Sequence, residues 1–399
     1  MEISDLYRIS DNLVRSVNSQ WHRYLYSQIN WDVPMLCVKG ARGVGKTTLM
    51  WQHIQEEDSG EESLYVSLDN IWFSENRLFD LADYHYSHGG RRLYVDEVHR
   101  YPRGNWAQEL KNIYDSFPGL KVVFSGSSLL QIDMSKADLS RRCIFYDLQG
   151  LSFREYLEFS QGANLKAYTL DEVLEDHVRI AGSIASQVTP LKHFSDYLRQ
   201  GYYPFYPIYT TTYGQALQQI INTILESDLM ATAKVESVTI NKFKRLLYLL
   251  SQNVPYTPNI AKICRAIETN RNQTYDMLST LARAALIINL YSGKENLGQL
   301  AKPEKIYLEN TNLAYAMSST VSDGNVRETF FANQLRQSHI VAFSGDGDFL
   351  IDNKYDFEVG GKGKNFDQIK DLPNSYLAID NVEVGHRNRI PLWILGFLY

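Results

Sequence analysis

Cysteine is scarce in this chain: three in 399 residues, Cys37, Cys143 and Cys264, each isolated and none in a C-x-x-C spacing. That pattern argues against a zinc site and against a disulfide framework, and it fits a reducing compartment. Long apolar runs are missing too. No stretch approaches the ~18 to 20 apolar residues that cross a bilayer, and Met1-Glu2-Ile3-Ser4-Asp5 opens acidic. Neither a membrane helix nor a secretory signal is expected, which points to the cytoplasm and to no membrane partner. Nor does one sign of charge dominate: 40 Lys and Arg stand against 46 Asp and Glu, for a formal net charge of −6. The whole surface is therefore no general polyanion binder, and any nucleic-acid contact has to come from a local basic face. The length suggests two or three domains, each able to bury a core.

What is present is centred on Gly40-Ala41-Arg42-Gly43-Val44-Gly45-Lys46-Thr47, which satisfies G-x-x-x-x-G-K-[ST]. Apolar Met35-Leu36-Cys37-Val38 precedes it and Leu49-Met50-Trp51 follows. A strand, a glycine-rich turn and a helix start are the context in which backbone N–H groups converge on phosphate oxygens. The glycines let the backbone close without a Cβ in the way. Lys46 is expected at the β- and γ-phosphates, and Thr47 at a magnesium ion.

The flanking chain reads as a parallel crossover fold. Leu6, Ile9, Leu13 and Val17 recur at helical spacing within a lead-in of about thirty residues expected beside the nucleotide. Helix residues 48–54 run into an acidic turn over 56–62, and Leu64-Tyr65-Val66-Ser67-Leu68 is a second strand. Arg91-Arg92-Leu93-Tyr94-Val95-Asp96-Glu97 is a third, delivering two carboxylates at its carboxyl end, where open parallel sheets bind ligands. Asp96 is expected to hold the magnesium shell and Glu97 to orient and deprotonate the attacking water. Lys121-Val122-Val123-Phe124 ends in Ser125-Gly126-Ser127-Ser128. Ser125 and Ser127 are candidates to bond the water or γ-phosphate, or simply to cap a helix. Asp138-Leu139-Ser140-Arg141-Arg142 leads into strand Cys143-Ile144-Phe145-Tyr146. Arg141 and Arg142 are candidates for the transition-state cation, in cis or from a neighbouring subunit, or for a solvated surface pair.

The segments 39–48 (through Thr48), Leu93 to Glu97, Phe124 to Ser128 and Leu151-Ser152-Phe153-Arg154-Glu155-Tyr156-Leu157 together resemble the prokaryotic AAA+ superfamily ATPases. The resemblance covers about the first 160 residues. It implies an α/β P-loop NTPase core with strand order 5-1-4-3-2, ATP hydrolysis, Mg²⁺ as cofactor, and Gly40 to Thr48 cradling the nucleotide. It also implies a helical lid over about 161–234, where tyrosines surround Gly201-Tyr202-Tyr203-Pro204; aromatic packing is the simpler account of them.

Three helical patterns follow in 235–310: Phe243, Leu246, Leu247, Leu250; then Ile260, Ile263, Cys264, Ile267; then Leu278, Leu281, Ala282, Ala285. A hairpin is expected from Leu286-Ile287-Ile288-Asn289-Leu290-Tyr291, a 293–298 turn and Lys305-Ile306-Tyr307-Leu308. Three helices and a wing describe a winged helix, with Thr269-Asn270-Arg271-Asn272-Gln273 placed to touch DNA, or a packing module. The tail, 321–399, reads as a small α+β unit. A three-residue loop at Asp352-Asn353-Lys354 pairs Ile351 with Tyr355 and sets Asp348 opposite Glu358, two like charges that need a cation or water between them. The tail resembles the degenerate PD-(D/E)XK nuclease-like domain that often follows these ATPases, with Glu328, Asp348 and Glu358 in the acidic positions. The lysine expected after the second acid is replaced by Gly360, and only Lys362 has the right parity. The run Ile390-Pro391-Leu392-Trp393-Ile394-Leu395-Gly396-Phe397-Leu398 is expected as a last buried strand. The functions that compete are an ATPase coupling nucleotide state to its C-terminal modules, a nucleotide-gated binding protein with little turnover, and an ATP-regulated nuclease. ATP is the expected ligand in each, and a homo-oligomer is compatible with each.

Overall fold

The computed structural model describes residues 1–57, 62–127, 139, 141–229, 237–252, 255–292, 302–318 and 320–399. Ser128, Asp138, Ser140, most of the acidic turn and the 293–298 turn lie outside the described residues. The chain divides into two compact units, Met1–Gly150 and Leu151–Tyr399.

The first unit is an α/β layer built on β1 (Met35–Lys39), β2 (Ser63–Ser67), β3 (Arg92–Asp96), β4 (Lys121–Gly126) and β5 (Ile144–Asp147). All pairings are parallel and the order is β2-β3-β4-β1-β5, the arrangement expected from sequence. Leu36, Cys37 and Val38 on β1 are fully buried because helices cover the sheet. This is why the central strands read as unbroken apolar runs. Each such side chain contributes about 1.5–3 kcal/mol of burial. The helices are α1 (Ile3–Ser16), α2 (Lys46–Glu57), α3 (Leu78–Ser87) and α4 (Trp106–Ser116).

The lead-in departs from expectation. α1 ends at Ser16 and buries Leu6, Ser10 and Val14 rather than Ile9 and Leu13. Its Ser10 hydroxyl accepts from Tyr65 N at 3.0 Å, so α1 lies along β2. Arg23, just before a turn over residues 24–28, reaches the phosphate loop instead: its buried guanidinium donates to the carbonyls of Val44, Gln149 and Gly150.

The second unit begins with α5 (Phe153–Gln161), α6 (Leu170–Ala185), α7 (Pro190–Gln200) and α8 (Tyr213–Thr223). Ser152 and Glu155 form a reciprocal cap on α5, which satisfies two otherwise orphaned donors. Ser152 Oγ and Arg154 Nε both donate to the Tyr399 carbonyl at 2.9 Å, so the Leu151–Leu157 motif serves here as a packing element. Tyr202 and Tyr203 are buried, with Asn312 accepting from Tyr202 N and from the Tyr213 hydroxyl. Packing accounts for these tyrosines.

Next come α9 (Ser237–Ser251), α10 (Ile260–Ala266), α11 (Arg271–Arg283) and the antiparallel pair β6 (Ile287–Leu290) and β7 (Lys305–Leu308). After α12 (Thr311–Met317) and α13 (Asp323–Leu335), a mixed sheet runs β12-β11-β10-β9-β8. Its strands are β8 (Val341–Phe343), β9 (Phe349–Ile351), β10 (Tyr355–Gly360), β11 (Ser375–Ile379) and β12 (Arg389–Pro391). Tyr355 pairs with Ile351, the register the three-residue loop dictates. The last apolar run is not a strand. Pairing stops at Pro391, and Leu392–Phe397 forms a fully buried 3-10 helix. A short apolar run buried on all sides carries no period that separates strand from helix.

Candidate functional site

β1 delivers the glycine loop at its carboxyl end. Gly43 and Gly45 have φ of 84° and 100°, in the region where a Cβ is costly. A Cβ on Gly40 would stand 2.3 Å from the Leu148 carbonyl oxygen, so only glycine fits there. Val44 is buried and keys the loop into the unit, Ala41 and Arg42 are half-buried, and Thr48 is exposed on the first turn of α2. Lys46 is 4% exposed, and its Nζ donates to the carbonyls of Gly40 and Ala41 at 3.0 Å each. Burial pulls its pKa down, and Glu97 and Asp96 pull it back up.

β3 delivers the carboxylates. Asp96 is buried and gathers four donors. Thr47 Oγ1 donates to its Oδ2 at 2.5 Å and the Tyr65 hydroxyl does so at 3.0 Å; the Ser125 hydroxyl and Glu97 N serve its Oδ1. All four are neutral, so the negative charge is oriented without being cancelled. Burial drives the Tyr65 hydroxyl far above its usual range, and Asp96 reinforces the shift, so it remains a donor.

Glu97 sits at φ 50°, ψ 42°, a left-handed conformation that costs a non-glycine residue about 1–2 kcal/mol. Its Oε2 lies 3.3 Å from Ser127 Oγ, 3.3 Å from His99 Nε2 and 4.0 Å from the Arg42 guanidinium. Burial raises its pKa and Asp96 adds to the rise, against Lys46 and Arg42. Burial pushes His99 down to about 3, so it is a neutral ring beside the carboxylate.

The loop, Asp96 and Glu97 therefore converge, and Ser125 and Ser127 join them by bonding the two carboxylates. Arg141 and Arg142 do not join them in cis. They precede β5, whose Ile144 pairs with Leu36 near the start of β1, so they lie at the amino ends of parallel strands whose carboxyl ends carry the site. Arg142 is bonded to Asp115 at 2.9 and 3.0 Å and lies over the Tyr114 ring, while Arg141 is exposed. Arg42 is a cation beside Glu97, 4.0 Å from its carboxylate. Sequence reasoning missed Arg23, Tyr65 and His99. Only His99, two residues past Glu97, carried a local signal.

The second acidic set behaves differently. Lys305 Nζ lies 3.2 Å from Glu328 Oε2 and 3.1 Å from Asp348 Oδ1, and Lys364 Nζ lies 2.6 Å from Glu358 Oε1. Lys362, the residue with the expected parity, is exposed, because β10 stops at Gly360 and the chain turns. No group of three metal-ligating side chains stands together among the described residues.

Residues 32–157 match the AAA domain family, and residues 191–323 match a domain of unknown function. An uncharacterized protein of Methanocaldococcus jannaschii is 24% identical over 292 residues, 68% of this chain and 60% of the relative. The chain thus spans less than two thirds of that relative's length. Among solved structures, a Walker-type ATPase of Pyrococcus abyssi aligns at TM-score 0.38 and 12% identity, over 72% of this chain and 91% of that one. AMPPCP-bound DnaA from Aquifex aeolicus aligns at 0.26 and 16% identity, over 69% of this chain and 86% of that one. The first unit has the fold of an AAA-type P-loop ATPase. No helix among the described residues is long and apolar enough to cross a membrane.

Proposed function

We propose that the first unit binds ATP with Mg²⁺ and hydrolyses it to ADP and phosphate. The observation that carries this reading is the convergence of the loop lysine and threonine with two strand-end carboxylates, fixed by the 2.5 Å bond from Thr47 to Asp96. The donor set fits a magnesium ion: a hydroxyl and a carboxylate, both oxygen ligands, at the foot of a phosphate cradle. Thr47 and Asp96 would hold it, and when bound it would offset charge on the phosphate oxygens. Lys46 would exchange its loop carbonyls for the β- and γ-phosphates, and Gly40 to Thr48 would surround them. Glu97 would orient the water and accept its proton, a role suited to a carboxylate whose pKa is raised toward neutrality. Ser127 and His99 would hold that carboxylate in place. Phosphate release by the purified chain, compared with Glu97→Gln, tests the proposal; loss of turnover with ATP still bound is the expected result.

One observation favours a second reading, a nucleotide-gated binding protein with little turnover. Glu97 is drawn into a left-handed turn, with Ser127, His99 and Arg42 around its carboxylate. Turnover unchanged by Glu97→Gln would select this reading. For the C-terminal region, a winged helix over 235–310 that contacts DNA is supported by Arg271, Asn272 and Gln273, all exposed at the start of α11. Exposed Asp276 opposes it. Salt-dependent DNA binding lost in Arg271→Ala would support that contact. A homo-oligomer in which a second copy supplies an arginine is a further proposal, tested by mixing Arg141→Ala chains with wild type and measuring turnover.

A further inference from the structure

Glu328 on α13 and Asp348 just before β9 face the same half-buried space as Lys305 on β7. Their side chains are 16%, 20% and 18% exposed. Lys305 and Tyr307 are two residues apart on one strand and so point to one face. Both reach the same oxygen: the Tyr307 hydroxyl donates to Glu328 Oε2 at 2.7 Å, and Lys305 Nζ lies 3.2 Å from it. Asp348 Oδ2 accepts from Val359 N at 3.0 Å, leaving its Oδ1 to the ammonium. Burial alone would lower the pKa of Lys305, but the two carboxylates outweigh it and hold the group charged.

The nuclease-like resemblance implies a divalent metal among Glu328, Asp348 and Glu358. The residues present do not fit one. Glu328 and Asp348 share an ammonium, and Glu358 has a second one, from Lys364. A cation inserted there would have to expel a tethered lysine already in ion-pair contact with both carboxylates. The same residues also cross between elements. Phe343 N donates to the Tyr291 carbonyl at 2.7 Å, and Ser292 bridges Phe343, which joins the β6–β7 pair to β8 beside the ion cluster.

We infer that Lys305 is the resident counter-ion of the tail, occupying the place a metal would take between Glu328 and Asp348 and fastening the β6–β7 pair to α13 and the tail sheet. Two carboxylates brought together by the fold are stabilised by an amine from a third element, so removing the amine leaves two like charges facing each other. The test uses the full chain without nucleotide. Free Mn²⁺ is followed by electron paramagnetic resonance during titration of wild type and of the Glu328→Gln/Asp348→Asn pair. Equal binding by both is expected; one Mn²⁺ held by wild type and lost in the pair would overturn the inference. In Lys305→Met, amide exchange at Phe343 should rise at least tenfold and the melting temperature should fall. The triple variant Lys305→Met/Glu328→Gln/Asp348→Asn, which removes the repulsion, should recover most of that loss. It also keeps the test open should the single variant fail to fold. Unchanged exchange at Phe343 in the single variant, or a triple variant no more stable than the single one, would overturn the fastening role.

Discussion

The two lysine–carboxylate clusters of this chain use the same residue types to opposite ends. At the phosphate loop the lysine is held by backbone carbonyls and Asp96 by hydroxyls and an N–H, so neither charge is neutralised by the other. In the tail, the ammonium of Lys305 sits directly between its two acids. Charges kept apart by neutral partners remain available to a polyphosphate and its cation, whereas charges paired with each other hold the fold together. Residue identity is the same in both places; the partner decides.

That contrast can be broken in several ways. The largest effect on nucleotide affinity should come from Lys46→Ala, which removes the cation of the cradle: ATP affinity, read from fluorescent-nucleotide titration, should fall ~30-fold or more. Unaltered affinity would end the nucleotide reading altogether. Glu97→Gln should lower phosphate release by ~10² to 10⁴ while ATP stays bound. In the parent, the acid limb of the rate profile should lie above the ordinary glutamate range, because burial raises the Glu97 pKa. A matched pair sharpens the comparison: Asp96→Asn should abolish the Mg²⁺ dependence of ATP binding, and Asp348→Asn should leave it untouched. Tyr65→Phe removes one of four donors to Asp96, and a loss of ~10- to 100-fold in Mg²⁺-dependent turnover is expected from one bond to a charged acceptor.

The smallest effect concerns a third carboxyl. Glu309 is fully buried, 2.8 Å from Arg336, and burial raises its pKa from 4.5 to about 7 despite that arginine. A folded-state value above the unfolded one means the folded chain holds the proton longer. Its contribution is complete below pH 4.5 and declines as pH rises toward about 7. Glu309→Gln should flatten the fall of stability across that window in denaturant titrations. An equally steep fall in the variant would show that Glu309 is not its source.

How far the chain could be read in advance follows from sequence distance. The phosphate loop is eight consecutive residues with a strand before and a helix after, so its motif and its context sit in one window. The order of the first sheet's strands was what the resemblance to AAA+ ATPases implied. The β9–β10 register was legible because a three-residue loop sets it. Lys305 was not, since 23 and 43 residues separate it from the acids it joins, and no local pattern announces such a meeting. Whether Arg142 could reach the site in cis was not legible, because adjacency to a strand says nothing about which end of the sheet the residue occupies. Arg42, inside the loop, lies 4.0 Å from Glu97.

One guanidinium sets a mechanical condition on the first unit. Arg23 grips the Val44 carbonyl inside the glycine loop and also the carbonyls of Gln149 and Gly150, at 2.7 and 2.9 Å, where that unit ends. Displacing the loop without moving the 149–150 backbone would stretch or rotate one of those bonds. The loop and the exit of the unit are thus yoked, and a ligand that shifts the first tugs on the second.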